Sequence, residues 1–119
     1  MRYACLVYID PTVVFNDSAE SNAVLAEAGA HSRQLAERGV PAEALTLPRE
    51  AVTVRIRNGK MRRTDGPFME TKESLAGFVL IDAADINEAA NLAAENPLAK
   101  LGSVEVRPLV DFTKPRPVL

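Results

Sequence analysis

The 119-residue chain has one cysteine, one histidine and no tryptophan. A single cysteine excludes an internal disulfide, and the Cys₄ and Cys₂His₂ zinc sets fail by count. Secreted scaffolds of this size commonly carry several disulfides, so a reducing cytoplasm is the expected location. No apolar run approaches the ~20 residues of a membrane span. The first such run, Tyr3 to Ile9, has seven residues and stops at Asp10-Pro11 with no clean cleavage pattern behind it. Neither a signal peptide nor a membrane partner is expected. No sign of charge dominates. Fourteen basic and sixteen acidic residues leave a net charge of -2, with an isoelectric point near 5.4. A purely electrostatic nucleic-acid binder would be basic, so nucleic acid is not an expected partner. Six glycines and eight prolines are too few for a low-complexity chain.

What is present fits one globular domain, because 47% of residues are hydrophobic and 25% charged. Tyr3 to Ile9 is rich in strand formers and apolar throughout, as in a strand covered on both faces. Cys5 inside it reads as a small buried hydrophobe rather than a reactive thiol, since no base or metal ligand lies near it in sequence. Asp17 or Ser18 then caps a helix whose apolar stripe is Val24, Leu25, Ala28, Leu35 and Ala36. His31 falls within or beside that stripe. Gly39 ends the helix and Pro41 prevents its return. Glu43 to Leu47 is a weak strand candidate. In Val52 to Arg57 the apolar residues alternate with Thr53, Arg55 and Arg57, which predicts a half-buried strand. Asn58-Gly59 turns it into a hairpin returning through Lys60 to Thr64, expected at a sheet edge and protected by charge. Leu75 to Ile81 is the most apolar run and predicts a central strand, with Gly77 marking a bulge or a close approach. Asp85 and Glu88 open a second helix that Asn96-Pro97 stops, and Ser103 to Arg107 is the last strand. Residues 1–113 form the expected domain, and 114–119 a mobile tail.

Strand, helix, hairpin, strand, helix, strand describes an α+β fold of the ferredoxin-like kind, with two helices on one face of an antiparallel sheet. The other face stays partly apolar, and a second copy is its simplest cover, so a homodimer is expected.

Thr64-Asp65-Gly66-Pro67-Phe68-Met69-Glu70-Thr71-Lys72-Glu73, followed by Leu75-Ala76-Gly77-Phe78, resembles the signature of the YCII-related, DGPF-domain proteins. The hairpin through Asn58-Gly59, the last strand and the opening Arg2 to Ile9 fit the same pattern, so the resemblance spans residues 1 to 113. It implies a ferredoxin-like fold paired into a dimeric α+β barrel. Its wider relatives include a dehydrochlorinase of aromatic degradation, and muconolactone isomerase has a similar fold. The resemblance also implies a histidine–aspartate active site, and association with extracytoplasmic-function sigma factors. The chain departs from the pattern at Arg62 and Arg63, where apolar residues are usual, and at His31, where an aromatic is frequent.

His31 is the only histidine, the residue type most used for acid–base catalysis, and it reads either as a core histidine or as such a catalyst. Asp65 reads either as turn chemistry before Gly-Pro or as the carboxylate that orients His31. Arg55, Arg57, Lys60, Arg62 and Arg63 would face solvent or recognise an anion. Tyr8, Phe68 and Phe78 would line a pocket or fill the core. The leading expectation is a cofactor-independent enzyme transferring a proton, in an isomerisation or elimination, on a small acidic or cyclic molecule. His31 and Asp65 would be catalytic, Tyr8, Arg55, Arg57, Phe68 and Phe78 ligand-binding, and no metal is expected. The alternative is a non-catalytic ligand-binding or regulatory dimer associated with a sigma factor.

Overall fold

The computed structural model describes residues 1–119. Strand β1 (Arg2–Ile9) alternates as its composition demands, with Tyr3, Cys5, Val7 and Ile9 buried and the residues between them half-buried or exposed. It ends at Asp10, whose carboxylate accepts hydrogen bonds from the Thr12 backbone N–H at 2.9 Å and the Thr12 hydroxyl at 2.7 Å. This cap starts a one-turn helix, α1 (Pro11–Val14), which the sequence pattern did not announce. Helix α2 (Ala19–Glu37) is capped by Ser18, which accepts from the Ser21 N–H. Gly39 follows it with φ 71°, a conformation that favours glycine. Strand β2 is short (Ala42–Ala44) and precedes a 3₁₀ turn at Pro48–Glu50. Strands β3 (Val52–Arg57) and β4 (Lys60–Asp65) flank Asn58-Gly59. Strand β5 (Ser74–Asp82), helix α3 (Ile86–Ala93), a 3₁₀ turn (Pro97–Lys100) and strand β6 (Ser103–Pro108) complete the chain. Asp85 caps α3 by accepting from the Glu88 N–H. No helix is long and apolar enough to cross a membrane.

Four strands form one antiparallel sheet in the order β2-β5-β1-β6. That order, with α2 and α3 as the crossovers, is the ferredoxin-like α+β arrangement. The helices cover the face that carries Tyr3, Cys5, Val7 and Ile9. Cys5 and Val79 pack there against Leu35 of α2 and Ala93 of α3, and Tyr3 packs against Ala83 and Ala89. The opposite face is open. Ala4, Leu6 and Tyr8 of β1 lie there beside Leu75, Phe78 and Leu80 of β5, all only half-buried or exposed. Glu43 on β2 and Glu105 and Arg107 on β6 flank this apolar stripe.

Gly77 marks both features its position suggested. The register of β1 and β5 shifts between Val7 and Tyr8, leaving Ala76 as the extra residue. A Cβ on Gly77 would stand 2.6 Å from the carbonyl oxygen of Glu43, so β2 can join the sheet only against glycine.

Two expectations fail. The weak strand lies at Ala42–Ala44 rather than Glu43 to Leu47, because the ladder with β5 ends one bond later, with the Leu45 N–H donating to the Ala76 carbonyl at 2.7 Å, before the turn at Pro48. The hairpin is not at the edge of the main sheet. β3 and β4 pair only with each other, and Val54 and Ile56 are 56% and 67% exposed rather than half-buried. The 3₁₀ turn at Pro48 and the Gly66-Pro67 break bound the hairpin, and β2 already occupies that edge of the sheet.

Candidate functional site

Helices α2 and α3 lie on the same sheet face but leave a cleft of about 310 Å³ between them. Its floor is Cys5, Leu35, Val79, Ala93 and Val104. Small side chains on α3, chiefly Ala89 and Ala93, pack close to the strands and keep that wall low. Burial pushes the Cys5 thiol above its ordinary range, which leaves it a packing atom rather than a nucleophile. The rim is polar. His31 rises from α2 and Arg38 from its C-cap, and Glu95 and Asn96 stand just past α3, with Asp82 at the end of β5. Neither His31 nor Arg38 has a hydrogen-bonded side-chain partner or an ion pair within the chain. A second, smaller cleft of about 200 Å³ lies on the other side of His31, towards Ala42, Ala44 and Gly77. His31 thus stands between two hollows above the covered sheet face.

A different cleft, about 530 Å³, opens at one end of the uncovered face. Tyr8 and Leu75 form its sheet wall. Leu45 to Pro48 and the Pro67-Phe68-Met69 segment form the other walls. Glu50, Glu73, Ser74 and Thr71 supply its polar groups. Glu73 is held in place by the Ser103 hydroxyl, which donates to it at 3.0 Å. The Thr71 hydroxyl donates to the Glu73 carbonyl oxygen. Two carboxylates and no cationic side chain line this hollow.

The anticipated site residues therefore divide between the two faces of the sheet. Tyr8 and Phe68 share the open-face cleft, and Phe78 lies further along the same face, opposite Leu6 and Glu43. His31 stands above the helix-covered face. Asp65 is in neither place. It is exposed at the end of β4, opposite Val52, and no hydrogen bond or ion pair joins it to His31. Nor does its carboxylate close the turn. The turn is closed by the Gly66 N–H donating to the Ala51 carbonyl at 2.7 Å and by the Thr53 hydroxyl donating to the Gly66 carbonyl at 2.9 Å. Arg55 and Arg57 are exposed on the hairpin and line none of these clefts. No three His, Cys, Asp or Glu side chains lie close enough to share a metal ion.

Three polar residues of these clefts were missed by sequence reasoning. Arg38 had a usable signal: it follows His31 by seven residues, two helical turns, and so shares its face. Glu73 sat within the DGPF-like segment, where nothing in the sequence set it apart from its polar neighbours. Glu95 had no signal, because only the packing of α3 against the sheet brings it opposite α2.

The model of the YCII-related domain matches residues 1–113. An uncharacterised protein of Rhizobium meliloti (strain 1021) is 40% identical over 114 residues, a span covering 92% of each chain. With the strand order and the Asp65-Gly66-Pro67-Phe68 turn in hand, these likenesses agree with the architecture, and the chain belongs to the YCII-related family.

Proposed function

We propose that the protein is a homodimer that binds a small, largely apolar organic acid in the cleft between α2 and α3. The observation that carries this reading is the pairing of an apolar floor with two unpartnered groups, His31 and Arg38, on one wall. A volume of about 310 Å³ is at the lower end for ligand sites, which limits the occupant to one ring or its equivalent. Arg38 carries a permanent positive charge and a planar fork of donors suited to a carboxylate. Glu95 and Asn96 on the far wall would accept from, or bond to, a hydroxyl or amide at the ligand's other end. The uncovered sheet face supports the dimer, since an apolar stripe of that extent is normally covered. No cofactor is required for any of this.

A second reading adds proton transfer at His31. The observation in its favour is that Glu95 lines the same cleft, so a carboxylate other than Asp65 is available to work with the imidazole.

Benzoate and cyclohexanecarboxylate, with benzamide as the uncharged control, test the reading by calorimetric titration. The acids should bind and benzamide should bind at least tenfold more weakly. Arg38→Gln should weaken the acids about tenfold, the effect of removing roughly 1.4 kcal/mol of charge-assisted hydrogen bonding. Equal affinity for benzamide, or an Arg38→Gln variant that binds as wild type does, would remove the basis for the assignment.

A further inference from the structure

We infer that the β3–β4 hairpin is a dimer arm that lies on the open sheet face of a second copy. The inference rests on the dimer proposed above and adds the element that grips it.

An isolated two-stranded hairpin is at best marginally stable in water, and this one pairs with nothing else in its own chain. Its register sorts the side chains into two unlike faces. Val52, Val54, Ile56 and Met61 share one side, and all are exposed, Met61 at 64%. The other side sets Arg55 opposite Arg62 and Arg57 opposite Lys60. Like charges directly opposite each other destabilise a ladder, and no ion pair in the chain relieves them. Both faces thus lack what would stabilise them: apolar cover on one, negative charge near the other. The overall shape agrees. The radius of gyration is 16.6 Å, against about 13.5 Å for a compact domain of this length.

A second copy supplies the apolar cover directly, and its acidic body attracts the hairpin's positive charge at longer range. The hairpin strands carry five cations and one carboxylate, so a chain of net charge -2 has +4 on residues 52–65 and -6 on the rest. The open face of that acidic body presents Leu6, Phe78 and Leu80 as an apolar stripe, with Glu43 at one margin and Glu105, 3.9 Å from Arg107, at the other. The hairpin's apolar side fits the stripe, and Arg63, which shares that side, falls where a flanking carboxylate can meet it. A polyanion such as DNA would satisfy the cations and leave Val54, Ile56 and Met61 in water, which is why a second copy is the better occupant.

Sedimentation of the full chain tests this together with hydrogen exchange of the hairpin amides. The wild type should be dimeric, and the amides of β3 and β4 should be protected in the dimer and lose protection on dilution. The double variant Val54→Asp, Ile56→Asp should raise the dimer dissociation constant at least about tenfold, with unchanged helical circular dichroism because both positions are exposed. Leu6→Asp, on the sheet face, separates the two claims. A monomeric wild type overturns the dimer and the arm together. A dimer weakened by Leu6→Asp but indifferent to the hairpin variant overturns the arm alone. Hairpin amides protected by a DNA duplex and not by dimerisation overturn it in favour of a polyanion.

Discussion

Asp10 uses one carboxylate to end β1 and to begin α1. Both Thr12 groups donate to it, the hydroxyl and then the backbone N–H holding the acid below its ordinary range, with Lys72 assisting from further off. A carboxyl group whose folded pKa is depressed stabilises the fold above its unfolded value, and the contribution is lost as pH falls through the folded one. Thr12→Val deletes the larger of the two bonds at an exposed position. Its melting temperature should therefore lie below wild type at neutral pH, and the gap should narrow as the pH drops below about 4, near the unfolded aspartate value. A gap of constant size across that range would show that the bond to the ionised carboxylate is not its source. At the same scale, His31 and Arg38 owe their nearness to helical spacing alone. Asp65 is kept from them by the hairpin that carries it.

Among the elements, β2 is the most dependent on a single position. Adding one methyl group at Gly77 would push it against the Glu43 carbonyl, and backbone cannot move aside as a flexible side chain can. Gly77→Ala should cost about 1–3 kcal/mol in chemical denaturation, the range for overpacking, and should raise hydrogen exchange at Ala42–Ala44 first. Loss of stability spread evenly over the sheet would contradict that account. The elements legible from sequence were those whose partners are inside the chain. β1, β5 and the two long helices follow from apolar periodicity and from the caps Ser18 and Asp85, because burial and capping are local and intramolecular. Alternation in Val52 to Arg57 also identified a strand correctly, yet it assigned that strand the wrong surroundings. Periodicity reports that a face is apolar and is silent about which molecule covers it. Of the α2–α3 cleft, the helical stripe singled out His31, whereas the wall formed by Glu95 depends on how α3 docks; Tyr8 and Phe68 line the separate hollow of the open face.

At the scale of the molecule, the sheet divides the work. Its covered face supports the His31–Arg38 cleft, and its open face with the projecting hairpin is the side on which we propose a second copy docks. In that proposed arrangement cavity and interface would lie on opposite sides of one four-stranded sheet, so ligand binding would not compete with assembly. The hollow lined by Glu50 and Glu73 opens on the uncovered sheet face. The most direct test of the central claim uses the single histidine as its own reporter. The imidazole resonance of His31 is followed by NMR while benzoate is added to the wild-type protein at fixed pH. Binding between α2 and α3 predicts a saturable shift of the His31 ring protons, together with changes at Leu35 and Val79 on the cleft floor. Ring signals that stay fixed while benzoate binds elsewhere, or does not bind at all, would contradict it.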